Sequence, residues 1–210
     1  MGVLEELREA VVEGQAKPAA AKVTQGLAEG IPAGTLLQEG LIAAMQQVGQ
    51  LYEEGEIFVP EMLVAARAMS ASLAVLKPQL VEQGVEASAK VAIGTVKGDL
   101  HDIGKNLVAM MLEGSGYEIV DLGVDVAPER FVEAVRNGAS VVALSALLTT
   151  TMTSMQGTIE AITTAGLRSK VKIVVGGAPI TQVYAEQIGA DGYAPDASSA
   201  VRLLRRVLVA

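Results

Sequence analysis

From about residue 90 onward the chain alternates, five times over, a short apolar run with a longer segment of helical period. Segments 91–95, 118–122, 141–145, 173–175 and 192–194 read as strands. Segments 103–113, 128–137, 153–165, 182–188 and 198–209 read as helices, with Gly116, Gly138, Gly166 and Gly189 at the exits of the first four. Consecutive strands joined through a helix pair in parallel, and strands this apolar need cover on both faces. The pattern therefore predicts an α/β fold with a doubly wound, flavodoxin-like (Rossmann-like) parallel sheet of five strands and right-handed crossovers. In that strand order the switch point falls between the first and third strands, and a ligand crevice opens beyond their carboxyl ends.

The first third follows another rule. Up to about residue 85 nothing reads as a strand. Leu4, Leu7 and Val11 share one face of a first helix; Pro18 opens a second, which carries Val23 and Leu27 and ends at Gly30. Thr35 and Gln38 have the spacing of a capping box, and Leu37, Leu41, Met45, Val48 and Tyr52 then step by four, four, three and four until Gly55 closes the helix. Pro60 opens a fourth helix with Met62, Ala66, Met69, Leu73 and Leu76 on one face. Four amphipathic helices predict a small bundle. The polar segment 77–88, with Pro78 and Gly84, reads as helix end and linker, so the expected domains are 1–87 and 88–210.

Composition narrows the function. The 210 residues are 50% hydrophobic but only 3% aromatic, so the core must come from Val, Leu, Ile, Ala and Met. A net charge of −8 argues against a nucleic-acid or anionic-membrane surface. The chain has no cysteine, which excludes disulfides and thiolate chemistry. No basic-then-apolar leader opens it, and no apolar run reaches the roughly 20 residues of a bilayer span, so a soluble cytoplasmic protein is expected.

The only histidine, His101, lies in the turn between the first strand and its helix, within Gly98-Asp99-Leu100-His101-Asp102-Ile103-Gly104-Lys105-Asn106. A lone histidine can be a solvated surface residue or a hydrogen-bonded core one. It can also be a metal ligand, but one histidine without cysteine cannot build a transition-metal site alone. A metal held here must arrive with most of its ligands in place, as in a macrocycle with open axial positions. Asp99 is then the acceptor that fixes the ring's tautomer, and Gly98 and Gly104 allow close backbone approach. Asp102 reads foremost as a helix-start acid.

This motif resembles the cobalamin-binding loop of cobalamin-dependent methionine synthase and of the small corrinoid proteins of methyltransferase systems. The similarity continues through Tyr117-Glu118-Ile119-Val120-Asp121-Leu122-Gly123-Val124, Leu144-Ser145-Ala146-Leu147-Leu148-Thr149 and Val175-Gly176-Gly177-Ala178, and back into the first third. It implies cobalamin or another corrinoid bound base-off, with His101 as the lower axial ligand of cobalt and Asp99 and Thr151 completing a relay; Thr151 also fits a helix N-cap. It implies cofactor contacts from Gly98, Leu100, Asp102, Gly104, Ser145, Leu147, Thr149, Gly176, Gly177, Ala178 and Ala197. Tyr52, Val59 and Met62 fall at the positions of an apolar cap over the upper face, where Tyr52 and Gln38 depart from the family pattern.

The activity implied is methyl carriage. Cobalt(I) accepts a methyl group from a donor through a substrate-specific methyltransferase, and methyl-cobalt(III) is presented to an acceptor methyltransferase, with a reductive activase as a further partner. Turnover would then require those partners. The alternatives are the small cobalamin-binding subunit of a corrinoid mutase, against which the helical first third weighs, and a cobalamin-dependent sensor, for which the acidic N-terminal third lacks a basic DNA-binding helix pair.

Overall fold

The computed structural model describes residues 2–85 and 87–209; Met1, Glu86 in the expected linker and Ala210 lie outside the described residues. The chain divides into two compact units, Met1–Ala87 with Glu113–Gly116, and Ser88–Leu112 with Tyr117–Ala210.

The first unit is helical. Helix α1 (Val3–Val12) buries Leu7, Ala10 and Val11, and α2 (Ala16–Ala28) buries Ala19 and Val23. A third rod begins as α3 (Ala33–Thr35), widens into a π-helix over Leu36–Ile42 and continues as α4 (Ala43–Glu53). The expected capping box does not form: the rod starts after Pro32, and Thr35 makes no side-chain cap. Helix α5 (Val59–Glu82) starts with Pro60 in its first turn, while the Glu61 carboxylate accepts from the Phe58 N–H at 3.1 Å. It runs through Pro78 rather than ending near Lys77, because buried Leu76 and Leu80 carry its packed face across the proline. By length and composition α5 is apolar enough to cross a bilayer, contrary to the expectation that no run comes close. Within this unit it packs on α2 and α4 and buries Met62, Ala65, Ala66, Ala68 and Met69.

The second unit is the α/β sheet. Strands β1 (Lys90–Thr95), β2 (Glu118–Asp121), β3 (Val141–Ser145), β4 (Lys172–Gly176) and β5 (Gly192–Tyr193) pair in parallel in the order β2-β1-β3-β4-β5. This is the flavodoxin-like order, and its switch point lies between β1 and β3 as expected. Register aligns Thr95 with Ser145, and Ser145 with Gly176, so three strands end on one level. Ala92, Val142, Leu144, Ile173 and Val175 pack with Phe131, Met155, Ile159 and Ile162 on one face. Val91, Ile93, Val141, Ala143 and Val174, which alternate with them, are buried as well, so both faces are covered. Helices α6 (Ile103–Glu113), α7 (Pro128–Arg136), α8 (Met152–Thr164), α9 (Gln182–Gln187) and α10 (Ala197–Val209) complete the alternation.

Candidate corrinoid site

The loop after β1 is fastened at several points. The Val96 N–H donates to the Ser145 carbonyl at 3.0 Å, and Val96 forms an isolated parallel bridge with Val126. The chain then turns at Gly98, whose φ of +86° suits glycine. The Asp99 N–H returns to the Val96 carbonyl at 3.1 Å, and the Thr95 hydroxyl donates to the His101 carbonyl at 2.8 Å. Just before α6, the Asp102 carbonyl accepts the Asn106 backbone N–H at 2.8 Å, and its carboxylate accepts the Asn106 side-chain amide at 3.1 Å.

Asp99 is the centre of the site. Its side chain is wholly buried, and both carboxylate oxygens are saturated. Oδ1 receives the His101 N–H at 3.1 Å and lies 2.7 Å from the His101 Nδ1. Oδ2 receives the Leu147 N–H at 2.8 Å, the Leu148 N–H at 3.3 Å and the Thr151 hydroxyl at 2.7 Å. Burial pushes its acidity toward the neutral form, but the donors from Thr151, Leu147 and His101 outweigh that and hold the carboxyl well below the usual carboxylate range. An ionised carboxylate can only accept, so the ring nitrogen facing it is the protonated one. In the neutral imidazole the lone pair then falls on Nε2, on a side chain half exposed. Thr151 does stand at the N-cap position of α8, yet its hydroxyl makes no helix cap; it reaches Asp99, with the Leu148 carbonyl at 2.9 Å as its other neighbour.

Around this imidazole the loops expose apolar side chains where polar ones are the norm. Leu100 is 72% exposed, Ile103 84%, Leu147 42% and Leu148 43%; Leu100, Leu147 and Leu148 sit on the two loops that Asp99 ties together, and Ile103 opens α6. Such a surface is suited to a flat, largely apolar ligand. Among the described residues no group of three or more His, Cys, Asp or Glu could hold a metal by itself. The donor set would thus suit a metal that brings most of its ligands with it and takes one imidazole nitrogen from His101.

The remaining candidates are placed unequally. Ser145 is the half-buried last residue of β3, and Thr149 is exposed in the turn before α8. Gly104 is exposed, and a Cβ there would meet nothing within 4 Å. At Gly177, with φ +135°, a Cβ would lie 1.8 Å from the Ala146 carbonyl oxygen; at Gly176 it would lie 3.0 Å from that of Ala194. These two glycines are demanded first by the protein's own backbone, a reason the sequence did not offer. Ala178 is exposed and Ala197 buried at the start of α10. Tyr52, Val59 and Met62 belong to the helical unit: Tyr52 is half-buried, Val59 is exposed, and Met62 is buried.

Sequence reasoning missed three polar residues beside the site. Lys105, 2% exposed, reaches both Asp121 oxygens at 2.7 and 2.6 Å and the Asn106 side-chain oxygen at 2.6 Å. Asp125 accepts the Gly98 N–H at 2.7 Å. Only the charged character of loop residues could have signalled them, and that is a weak cue.

A carboxylate-held imidazole beside exposed apolar side chains, at the switch point of a doubly wound sheet, is an arrangement that a flat metal macrocycle would fit. Comparison with known proteins agrees. Residues 89–202 match the B12 binding domain model, and residues 3–77 match a second B12 binding domain model. The chain is 39% identical to a corrinoid protein of Desulfitobacterium hafniense, over 99% of this chain and 98% of the relative. It is 40% identical to dimethylamine corrinoid protein 3 of Methanosarcina acetivorans, over 99% and 98%. It superposes on a cobalamin-binding protein of D. hafniense with a TM-score of 0.80 at 32% identity, over 97% of each chain. A chain of the methanol:cobalamin methyltransferase complex of Methanosarcina barkeri gives 0.87 at 27% identity, over 99% of this chain and 80% of that one. The chain belongs to the B12-binding domain family and, within it, to the corrinoid proteins.

Proposed function

We propose that this chain is the methyl-carrying corrinoid subunit of a methyltransferase system, with His101 taking the place of the cofactor's own tail base beneath cobalt. The observation that carries the ligation is the Asp99–His101 pair, in which Nδ1 lies 2.7 Å from a buried carboxylate oxygen and Nε2 is the ring nitrogen left to face a metal. A bound corrinoid would supply the cobalt centre that takes up and gives away the methyl group. The chain's own residues do the rest. Asp99 holds the tautomer and strengthens the imidazole as a donor, and Thr151 and the Leu147 and Leu148 amides keep Asp99 ionised. Leu100, Ile103, Leu147 and Leu148 shed water from the ring's underside. Ser145, Thr149 and the Gly176-Gly177-Ala178 turn line the path of the displaced tail.

In this reading residues 1–87 form the cap domain, with Tyr52, Val59 and Met62 at the positions that cover the upper face, and residues 88–210 form the cofactor domain. Carriage is supported by relatives named as dimethylamine and trimethylamine corrinoid proteins, each 96–98% covered in length by this chain, and by the likeness to a chain of the methanol:cobalamin methyltransferase complex. The partners are then a substrate-specific methyltransferase, an acceptor methyltransferase and a reductive activase, in the cytoplasm.

The test is reconstitution. Protein mixed with hydroxocobalamin and desalted should retain pigment with the spectrum of a histidine-ligated, base-off corrinoid, and His101→Ala should lose that spectrum. No retained pigment in the wild type would overturn corrinoid binding. Identical spectra in the two proteins would overturn the ligation.

A further inference from the structure

Among the described residues, the only non-glycine residue with a positive φ is Asp125, at +52°. It lies in the segment that leaves β2, and that segment is sewn to the end of β1. The Leu122 N–H donates to the Ile93 carbonyl at 2.8 Å, the Thr95 N–H to the Gly123 carbonyl at 3.0 Å, and the Val126 N–H to the Thr95 carbonyl at 3.0 Å. At its start, Asp121 is clamped by the buried Lys105 ammonium and accepts the Gly123 N–H at 2.9 Å. Asp125 is thus presented from a frame fixed on both sides. From it the residue makes two bonds to the histidine loop: its carboxylate accepts the Gly98 N–H at 2.7 Å, and its own N–H donates to the Asp99 carbonyl at 2.9 Å.

We infer that Asp125 is a positioning residue for the axial imidazole: it pins Gly98 and Asp99 from the neighbouring strand's loop, so that His101 is held against Asp99 before any cofactor arrives. Three points carry this. Gly98 is an exposed turn residue whose N–H could be satisfied by water, so the bond is not needed to pay a burial debt. The backbone at Asp125 occupies a region that side chains rarely adopt, one tolerated best by Asn, Asp and Gly. Both bonds grip the segment Gly98–Asp99, two residues before His101. An imidazole preset in one tautomer and one orientation loses less freedom on coordination than one on a loose loop.

The inference rests on His101 being the axial ligand, but its first readout needs no cofactor. The chain has one histidine, so nitrogen-15 histidine labelling gives a spectrum of His101 alone. In the apoprotein, at a pH where the ring is neutral, wild type should show a single Nδ1–H tautomer. Asp125→Gly keeps the backbone conformation and removes the carboxylate; it should shift the ring toward a mixture of tautomers and weaken hydroxocobalamin retention roughly tenfold, the low end for losing a partner that orients a ligand. Asp125→Asn retains an acceptor oxygen and the left-handed backbone, and should restore both readouts. The Gly98 amide of the wild type should exchange with solvent at least about tenfold more slowly than an unbonded loop amide. A glycine variant with wild-type tautomer and retention would overturn the inference, as would free exchange at Gly98 should that variant not fold. Wild type that shows the single tautomer yet retains no corrinoid would overturn the functional reading and leave the positioning role standing.

Discussion

The helical unit and the sheet's carboxyl edge are stabilised by opposite means. Among the described residues of the helical unit the buried polar side chains are two serines, Ser115 and Ser72, the latter bonding the Ala68 carbonyl one turn back in its own helix at 2.8 Å. The sheet unit buries Thr95, Asp99, Lys105, Thr151, Thr158 and Ser198, an acid and a base among them. No buried side-chain nitrogen or oxygen among the described residues is left without a partner. Apolar packing suffices to make a frame, as the helical unit demonstrates. Burying a carboxylate adds nothing to a frame that leucine would not supply more easily; in the proposed function its role is to orient His101.

The contrast is sharpest at glycines. Gly177→Ala places a methyl carbon against the Ala146 carbonyl, and backbone cannot yield as a side chain can. We expect loss of folding, or destabilisation beyond about 4 kcal/mol by urea melting. In the helical unit Gly40→Ala meets only the end of the Leu7 side chain, at 2.6 Å, and should cost about 1–3 kcal/mol. Equal costs would dissolve the comparison.

Asp99→Ala strands the Leu147 and His101 amides in a buried site and should cost about 3–5 kcal/mol. Thr151→Val, which removes one bond to a charged group, should cost about 1.5–3 kcal/mol, while Thr151→Ser keeps the hydroxyl and should cost less than half of that. The smallest effect belongs to Ser72→Ala. It deletes a hydroxyl bonded within one helix and should change stability by no more than about 0.5 kcal/mol. A Ser72 variant as damaging as Thr151→Val would mean that polar burial is structural in both units.

Acid sharpens the same point. Because the Asp99 carboxyl is held below its unfolded value, its contribution to stability is fully present above the ordinary carboxylate range and fades only as pH falls toward the depressed folded value. Wild type should therefore lose more stability on acidification below about pH 4 than Asp99→Asn does. Parallel curves would show that the carboxylate is not ionised in the fold.

The sheet was legible in sequence because each strand is an apolar run closed by a turn residue, and every strand end fell within two residues of the expected place. The π-helix over Leu36–Ile42 was not, since a stripe stepping by four looks the same in a π-turn as in an α-turn. Pro78 misled because proline ends most helices, whereas here the buried Leu76 and Leu80 override it. At the site, the loop from Gly98 to Asn106 announced itself through its motif. Asp125 and the Lys105–Asp121 pair did not: they lie on neighbouring strands' loops and at a helix start, and only the β1–β2 register brings them together.

The central claim is a bond from His101 to cobalt, and the single histidine makes it directly measurable. Protein grown on nitrogen-15 histidine, reconstituted and reduced to cobalt(II), should show an electron paramagnetic resonance spectrum in which each cobalt line is split in two by one nitrogen-15 nucleus. The same protein with natural histidine should show a three-line splitting. A three-line pattern that persists in the labelled protein would mean that the cofactor's own tail base still sits beneath the metal, and would contradict the account.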